Sequence, residues 1–318
     1  MIELVVLSGK GGTGKTSTVG ALAALAENKV LVDCDVDAAD LHLILDYNVE
    51  EMHEFIGGSI AKIVEDKCVD CGICPDYCRF NAIKTVADES RPDGERFVID
   101  EYACEGCGIC AHFCPEQAID FSEKVSGQWF RSETPHGPLF HARLGIAQAN
   151  SGKLVAVLRR EAREAAEQQG RDLIIIDGPP GIGCPVIASL TGVNYVLLVT
   201  EPSMSALHDM ERLVKLLSHF KIPAGMCINR HDLNNDLTAQ LERFAIDNRI
   251  ALLGRIPFDR AVTDAQVAGR NSIDHGNGPA ASALKAVWGR LREELQQVHQ
   301  HRSGQTRRII NIQDNVEM

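Results

Sequence analysis

"LSGKGGTGKTS" occupies residues 7–17, and its reading decides the rest of the chain. Its centre, "GKGGTGKT" (9–16), satisfies G-x-x-x-x-G-K-[ST]. Glycines at these places let backbone N–H groups approach phosphates closely, at the positive end of the helix that follows. The pattern puts Gly11, Gly12, Thr13, Gly14, Lys15, Thr16 and Ser17 around a nucleotide, Lys15 on its β/γ-phosphates and the Thr16 hydroxyl on Mg²⁺. The context fits. "IELVVLS" (2–8) is a buried strand run before the loop, and "KTSTVGALAALAE" (15–27) reads as a helix after it.

Working outward, "KVLVDCD" (29–35) is a second strand, followed by the acidic loop "DCDVDAAD" (33–40) and a short helix through Leu45. Strand, loop, helix and strand at this spacing make a βαβ unit of a parallel sheet. The rhythm then stops. Cysteine-rich, acidic sequence fills 61–123, and 124–149 carries little signal apart from the turn "TPHGP" (134–138). A helix is expected at 151–169 with Ser151 as N-cap, then strands at 172–177, 194–200, 223–230 and 250–258, and helices at 205–220 and 278–298. The expected fold is therefore α/β: a mostly parallel sheet with helices on both faces. It is built from 1–60 and 124–298, interrupted by a small α+β domain at 61–123, with a loose tail at 299–318.

Bulk composition narrows the function classes. The chain has 318 residues and a net charge of −12, which argues against a general nucleic-acid binder. Residues 61–123 hold fourteen Asp/Glu against six Lys/Arg, so −8 of that charge lies in one segment that could dock a basic partner. No apolar run approaches the ~18–20 residues of a membrane span. The opening residues lack a signal-peptide pattern, so a cytoplasmic location is expected. A membrane-binding helix in the tail has only the thin apolar face of "IINI" (309–312) in its favour.

Eleven cysteines are present, eight of them between 68 and 114. A disulfide framework does not suit a cytosolic chain, whereas metal or cluster binding does. "CVDCGICPDYCRFNAI" (68–83) and "CEGCGICAHFCPEQAI" (104–119) are copies offset by 36, with eight identities in sixteen positions. The repeat resembles the bacterial two-cluster ferredoxins, whose run is C-x2-C-x2-C-x3-C-P with the fourth cysteine serving the other cluster. That resemblance implies one [4Fe–4S] cluster on Cys68, Cys71, Cys74 and Cys114, and a second on Cys104, Cys107, Cys110 and Cys78. Zinc is the alternative for C-x2-C pairs, but duplicated triplets with an x3 fourth favour iron–sulfur. Cys114 is followed by Pro115 as in that family, whereas Cys78 is followed by Arg79. A cation there favours the reduced form, so the cluster served by Cys78 is expected to have the higher potential.

The nucleotide loop carries a second lysine, Lys10. In this form it resembles the deviant P-loop family: MinD and ParA partitioning ATPases, the nitrogenase iron protein and cluster-assembly ATPases. The resemblance implies an ATPase working as a nucleotide-sandwich homodimer. It gives Lys10 a role in stabilising phosphate charge across the dimer. It makes Asp35 the switch I aspartate that positions the attacking water, and Asp177 the Walker B residue holding Mg²⁺ through water. "GPPG" (178–181) becomes switch II, while Asn229 in "INR" (228–230) and Pro257 in "IPFD" (256–259) contact the adenine. Over nearly its whole length the chain looks like MinD-superfamily ATPases with an inserted ferredoxin domain.

In the nitrogenase iron protein a cysteine at the offset of Cys184 ligates a cluster shared across the dimer. That site needs a second cysteine, and 115–176 has none, so Cys184 reads as a small thiol at a helix start, or else a marker of the dimer face. Cys34 and Cys227 sit in strands and read as core. Three functions fit these parts: an ATP-gated electron carrier, a cluster carrier or assembly ATPase, and a positioning ATPase with a redox-sensing module. The first draws on the position of the insert between the two switches and on full cysteine ligation of both clusters.

Overall fold

The computed structural model describes residues 1–92, 94–145 and 150–313, with the side chains of 302–313 left aside. The chain divides into two compact units, one of residues 1–52, 129–143 and 151–318, the other of 53–128 and 144–150. The expected 61–123 segment lies inside the second unit. Among the described residues no helix is long and apolar enough to cross a membrane.

The first unit is built on a parallel sheet. Its strands are β1 (Ile2–Leu7), β2 (Lys29–Asp33), β8 (Leu173–Asp177), β9 (Tyr195–Thr200), β10 (Ala224–Asn229) and β11 (Ala251–Ile256). The sheet continues through β7 (Gly137–Leu144), β6 (Ile119–Thr134) and β3 (Asn48–Ile63), in the order β11-β10-β9-β1-β8-β2-β7-β6-β3. β1 pairs parallel with both β8 and β9, and β2 with both β8 and β7. Strands covered on both faces need no polar alternation, so they read as continuous apolar runs. Leu4–Leu7 and Ile174–Ile176 are accordingly buried.

The helices cover this sheet by amphipathic faces. In α4 (Ser151–Gln168) the buried residues include Leu154, Val155, Leu158, Ala162 and Ala166, one stripe at 3.6-residue spacing. Ser151 is the first helical residue, not the residue before it. α6 (Met204–Phe220) does start at a side-chain cap, where Ser203 accepts the Ala206 N–H. α7 (Asn235–Asp247) is capped in the same way by Asn234. The final helix runs Pro279–Gln313, so residues 299–301 of the expected tail are helical; residues 302–318 of it lie outside what is described in full.

The second unit repeats itself at the level of the backbone. Helices α2 (Ile73–Tyr77) and α3 (Ile109–Phe113) pack together with the Tyr77 and Phe113 rings stacked 4.4 Å apart. Positive φ occurs at Asp70 and Gly106, at Gly72 and Gly108, and at Asn81 and Gln117, each pair 36 residues apart. Strands β4 (Ile83–Ala87) and β5 (Glu95–Ile99) form an antiparallel pair beside them.

Candidate functional site

At the carboxyl ends of the parallel strands lies a cleft of about 660 Å³, where open α/β sheets bind ligands. Gly11, Gly12 and Gly14 form one wall with Lys15, Thr16 and Ser17, and Asp35, Asn229 and Pro257 border it too. The loop wraps tightly because Gly12 and Gly14 take φ of 81° and 90°, values that L side chains rarely adopt. α1 (Lys15–Leu25) starts directly after Gly14, so its free N–H groups face the cleft. This donor set fits a nucleotide phosphate with its divalent cation: backbone amides, the Lys15 ammonium and the Thr16 hydroxyl.

Three predicted residues do not line the cleft itself. Thr13 is buried, and its hydroxyl has no partner among the described residues. Asp177 is fully buried and forms an ion pair with Lys15. Its other oxygen has no partner among the described residues, an acceptor free to bond a metal-bound water. Lys10 is held from the side: its ammonium contacts Glu201 at 2.9 Å, Ser205 at 3.0 Å and Ser203 at 3.2 Å. Asn229 spends its side-chain amide on the Thr13 carbonyl, 2.8 Å away.

The carboxylates interact strongly. Burial works to lower the Lys15 pKa, yet Asp177, Asp33 and Asp35 together hold it above the ordinary value. Asp33 is pushed up to about 8 by burial and by Asp177. Its two oxygens accept the N–H groups of Asp35 and Leu41, each at 3.0 Å, and so pin both ends of the loop after β2. Asp35 is pushed up to about 6, chiefly by burial, with Lys15 pulling the other way.

Sequence reasoning missed Asp33 and also Glu201, which holds Lys10 on one side and Arg230 at 3.2 Å on the other. Both were within reach, since each acid closes or follows a strand at its C-terminal end. Gln266 was not: its contact with Ser17 Oγ, 2.8 Å, joins residues 249 positions apart.

The eight repeated cysteines border two pockets of the second unit. Cys68, Cys71, Cys74 and Cys114 line one, with Ile63 and Phe97. Cys78, Cys104, Cys107 and Cys110 line the other, with Phe80 and Ile99. Cys78 Sγ accepts the Ala82 N–H at 3.3 Å, and Cys114 Sγ accepts the Ala118 N–H at 3.2 Å. Burial raises the Cys68 and Cys110 thiols and lifts Cys74 to about 11, so a metal would have to displace their protons. No three His, Cys, Asp or Glu among the described residues are grouped to hold a single metal ion. Four thiols bordering one apolar pocket are a donor set whose chemistry suits an iron–sulfur cluster, which each quartet would hold. Cys34 and Cys227 are fully buried; Cys184 is exposed where α5 (Cys184–Leu190) begins.

Comparison with known proteins gives a consistent fold. Residues 4–273 match the CobQ/CobB/MinD/ParA nucleotide binding domain. The chain is 31% identical over 296 residues to Uncharacterized protein MJ0578 of Methanocaldococcus jannaschii, covering 92% of this chain and 97% of that one. It is 22% identical over 318 residues to the septum site-determining protein MinD of Bacillus subtilis, covering 96% of each. Among solved structures it resembles MinD of Pyrococcus horikoshii complexed with Mg-ADP, with a TM-score of 0.55 at 16% identity, covering 93% of this chain and 98% of that one.

Proposed function

This chain belongs to the CobQ/CobB/MinD/ParA family of nucleotide-binding domains, and on that premise we propose that it is an Mg-ATP-driven, dimerising ATPase that gates electron transfer through two resident [4Fe–4S] clusters. The observation that carries the reading is the partition of the cysteines. Each quartet implied by the 36-residue repeat borders its own apolar pocket, three thiols from one copy and the fourth from the other. Such clusters, when bound, supply one-electron transfer.

The chain's own residues then have these roles. Backbone amides from Gly11 to Thr16 cradle the phosphates, and the Lys15 ammonium leaves Asp177 for them. Thr16 and, through water, Asp177 hold Mg²⁺. Asp35, its loop clipped by Asp33, orients the attacking water. Lys10 leaves Glu201 to meet phosphate across a homodimer. Asn229 and Pro257 flank the base, and Asn229 must yield its bond to Thr13 in part or turn its carbonyl to the ligand. The second unit begins soon after Asp35 and ends before Asp177 in sequence, so both loops that respond to the γ-phosphate are chained to it. Its acid-rich sequence suits a basic redox partner in the cytoplasm.

Anaerobic purification with iron and sulfide counts tests the first half, with about eight of each per chain expected for two cubanes. The second half is tested by cluster reduction with and without Mg-ATP, in wild type and Lys15→Ala. ATP should change the reduction behaviour in wild type and not in the variant. If ATP instead drives transfer of iron to an apo-ferredoxin, the chain is a cluster carrier. If ATP alters neither reduction nor retention, the gating proposal fails.

A further inference from the structure

A second cavity, of about 430 Å³, is bordered by the loop that follows β2. Three rings form a ladder along it. Phe130 stacks on His141 with centroids 5.0 Å apart at 21°, and His141 on His42 at 5.0 Å and 14°. Tyr47 stands edge-on to both histidines, at 4.9 and 5.7 Å. His141 is buried and its Nε2 is paired with Ser132 Oγ at 2.9 Å. His42 Nδ1 is buried too, yet it has no partner among the described residues.

That nitrogen is closed off from the open cavity, so the cavity's polar contacts come from other groups. Burial and the neighbouring His42 lower His141 to about 4. Burial lowers His42 as well, Asp40 opposing and Arg143 assisting. Both imidazoles are therefore neutral near pH 7, and because His141 is stacked on both faces the ladder offers an occupant ring surface at its ends and edges, not charge. The cation on the cavity is Arg143, which is exposed at its rim. The volume falls in the ~300–1,000 Å³ range of small-molecule sites.

We propose that this cavity is a second ligand site, for a planar heteroaromatic molecule carrying an anionic substituent. The ring packs against the ladder, and the anion meets Arg143. Asp37 and Ala38 line both this cavity and the nucleotide cleft. Any occupant therefore touches the loop that bears Asp35, and by linkage its affinity changes with the nucleotide bound.

Flavin mononucleotide is a suitable probe, measured by equilibrium dialysis against the full chain so that cluster absorbance does not interfere. Saturable binding of one molecule per chain is expected. Arg143→Ala and Val49→Trp should each weaken it about tenfold or more. Both alter exposed positions on the cavity rim, so folding is preserved. Excess Mg-ATP should shift the flavin affinity without displacing the flavin competitively. Absence of saturable binding overturns the proposal. So does wild-type-like binding by both rim variants, or competitive displacement by Mg-ATP, which would put the flavin in the nucleotide cleft.

Discussion

The Lys15 ammonium is ion-paired with the Asp177 carboxylate beneath the cleft, both side chains nearly or fully buried. Phosphate and Asp177 thus compete for one cation. Removing either partner strands a buried charge, which typically costs about 3–5 kcal/mol. Lys15→Met and Asp177→Asn should each lower the unfolding midpoint markedly. The double variant should be much less destabilised than the sum, because neither charge is left behind. A denaturant-unfolding cycle measures this, and strict additivity would show that the pair is not coupled.

Asp35 is the group whose titration should be visible in turnover. Burial raises it to about 6, against Lys15 and with help from Asp177, Asp37 and Asp40. A raised carboxyl takes up its proton as pH falls through that value. If the carboxylate orients the attacking water, ATP turnover is level above about pH 7 and drops steeply below 6. Asp35→Asn should lose about 10²–10⁴-fold in kcat, with little change in nucleotide affinity and no such acid limb. A wild-type profile that stays flat through pH 6 would exclude this role.

The first βαβ unit was legible because its strands are covered on both faces and its loop obeys a strict phosphate-binding pattern. β3, β6 and β7 were not. Residues 48–54 of β3 are exposed throughout, so burial writes no pattern there, and the strand's place in the sheet is set by pairing with distant strands. In the cleft, the acids at strand ends could be found from sequence, but not what they hold. Lys10 meets Ser203 across 193 positions, and nothing local announces that. The cysteine repeat was legible because φ recurs with it: Gly72 and Gly108 both sit near 73–74°. The ring ladder beside Asp37 left no motif, since Phe130, His141 and His42 come from separate elements.

Gly14 is held by two separate constraints. Its φ is 90°, and a Cβ there would overlap the Asn229 side-chain nitrogen. Gly14→Ala should therefore destabilise the chain by roughly 1–3 kcal/mol through backbone strain alone, and weaken ATP binding further by displacing Asn229. Adding Asn229→Ala removes the clash and leaves the strain. The double variant should recover only part of the lost stability, read from thermal unfolding. Full recovery would mean that the left-handed backbone is not needed.

Arg79 supplies the asymmetry between the two halves of the cysteine repeat. The backbone bonds to Cys78 and Cys114 are nearly equal, at 3.3 and 3.2 Å, so they cannot separate the two proposed clusters. What differs is the next residue. Arg79 lies 5.3 Å over the Phe80 ring, and Phe80 lines the pocket of Cys78; Pro115 lines the pocket of Cys114. Reduction adds negative charge, which a nearby cation stabilises. The cluster served by Cys78 should therefore have the higher potential, by an amount on the order of tens of mV for an exposed, screened cation. Arg79→Lys should keep the gap and Arg79→Pro should close it, with the second potential unmoved. Redox titration followed by electron paramagnetic resonance reads both. Two potentials that are equal in wild type, or a gap that survives Arg79→Pro, would remove Arg79 as the cause.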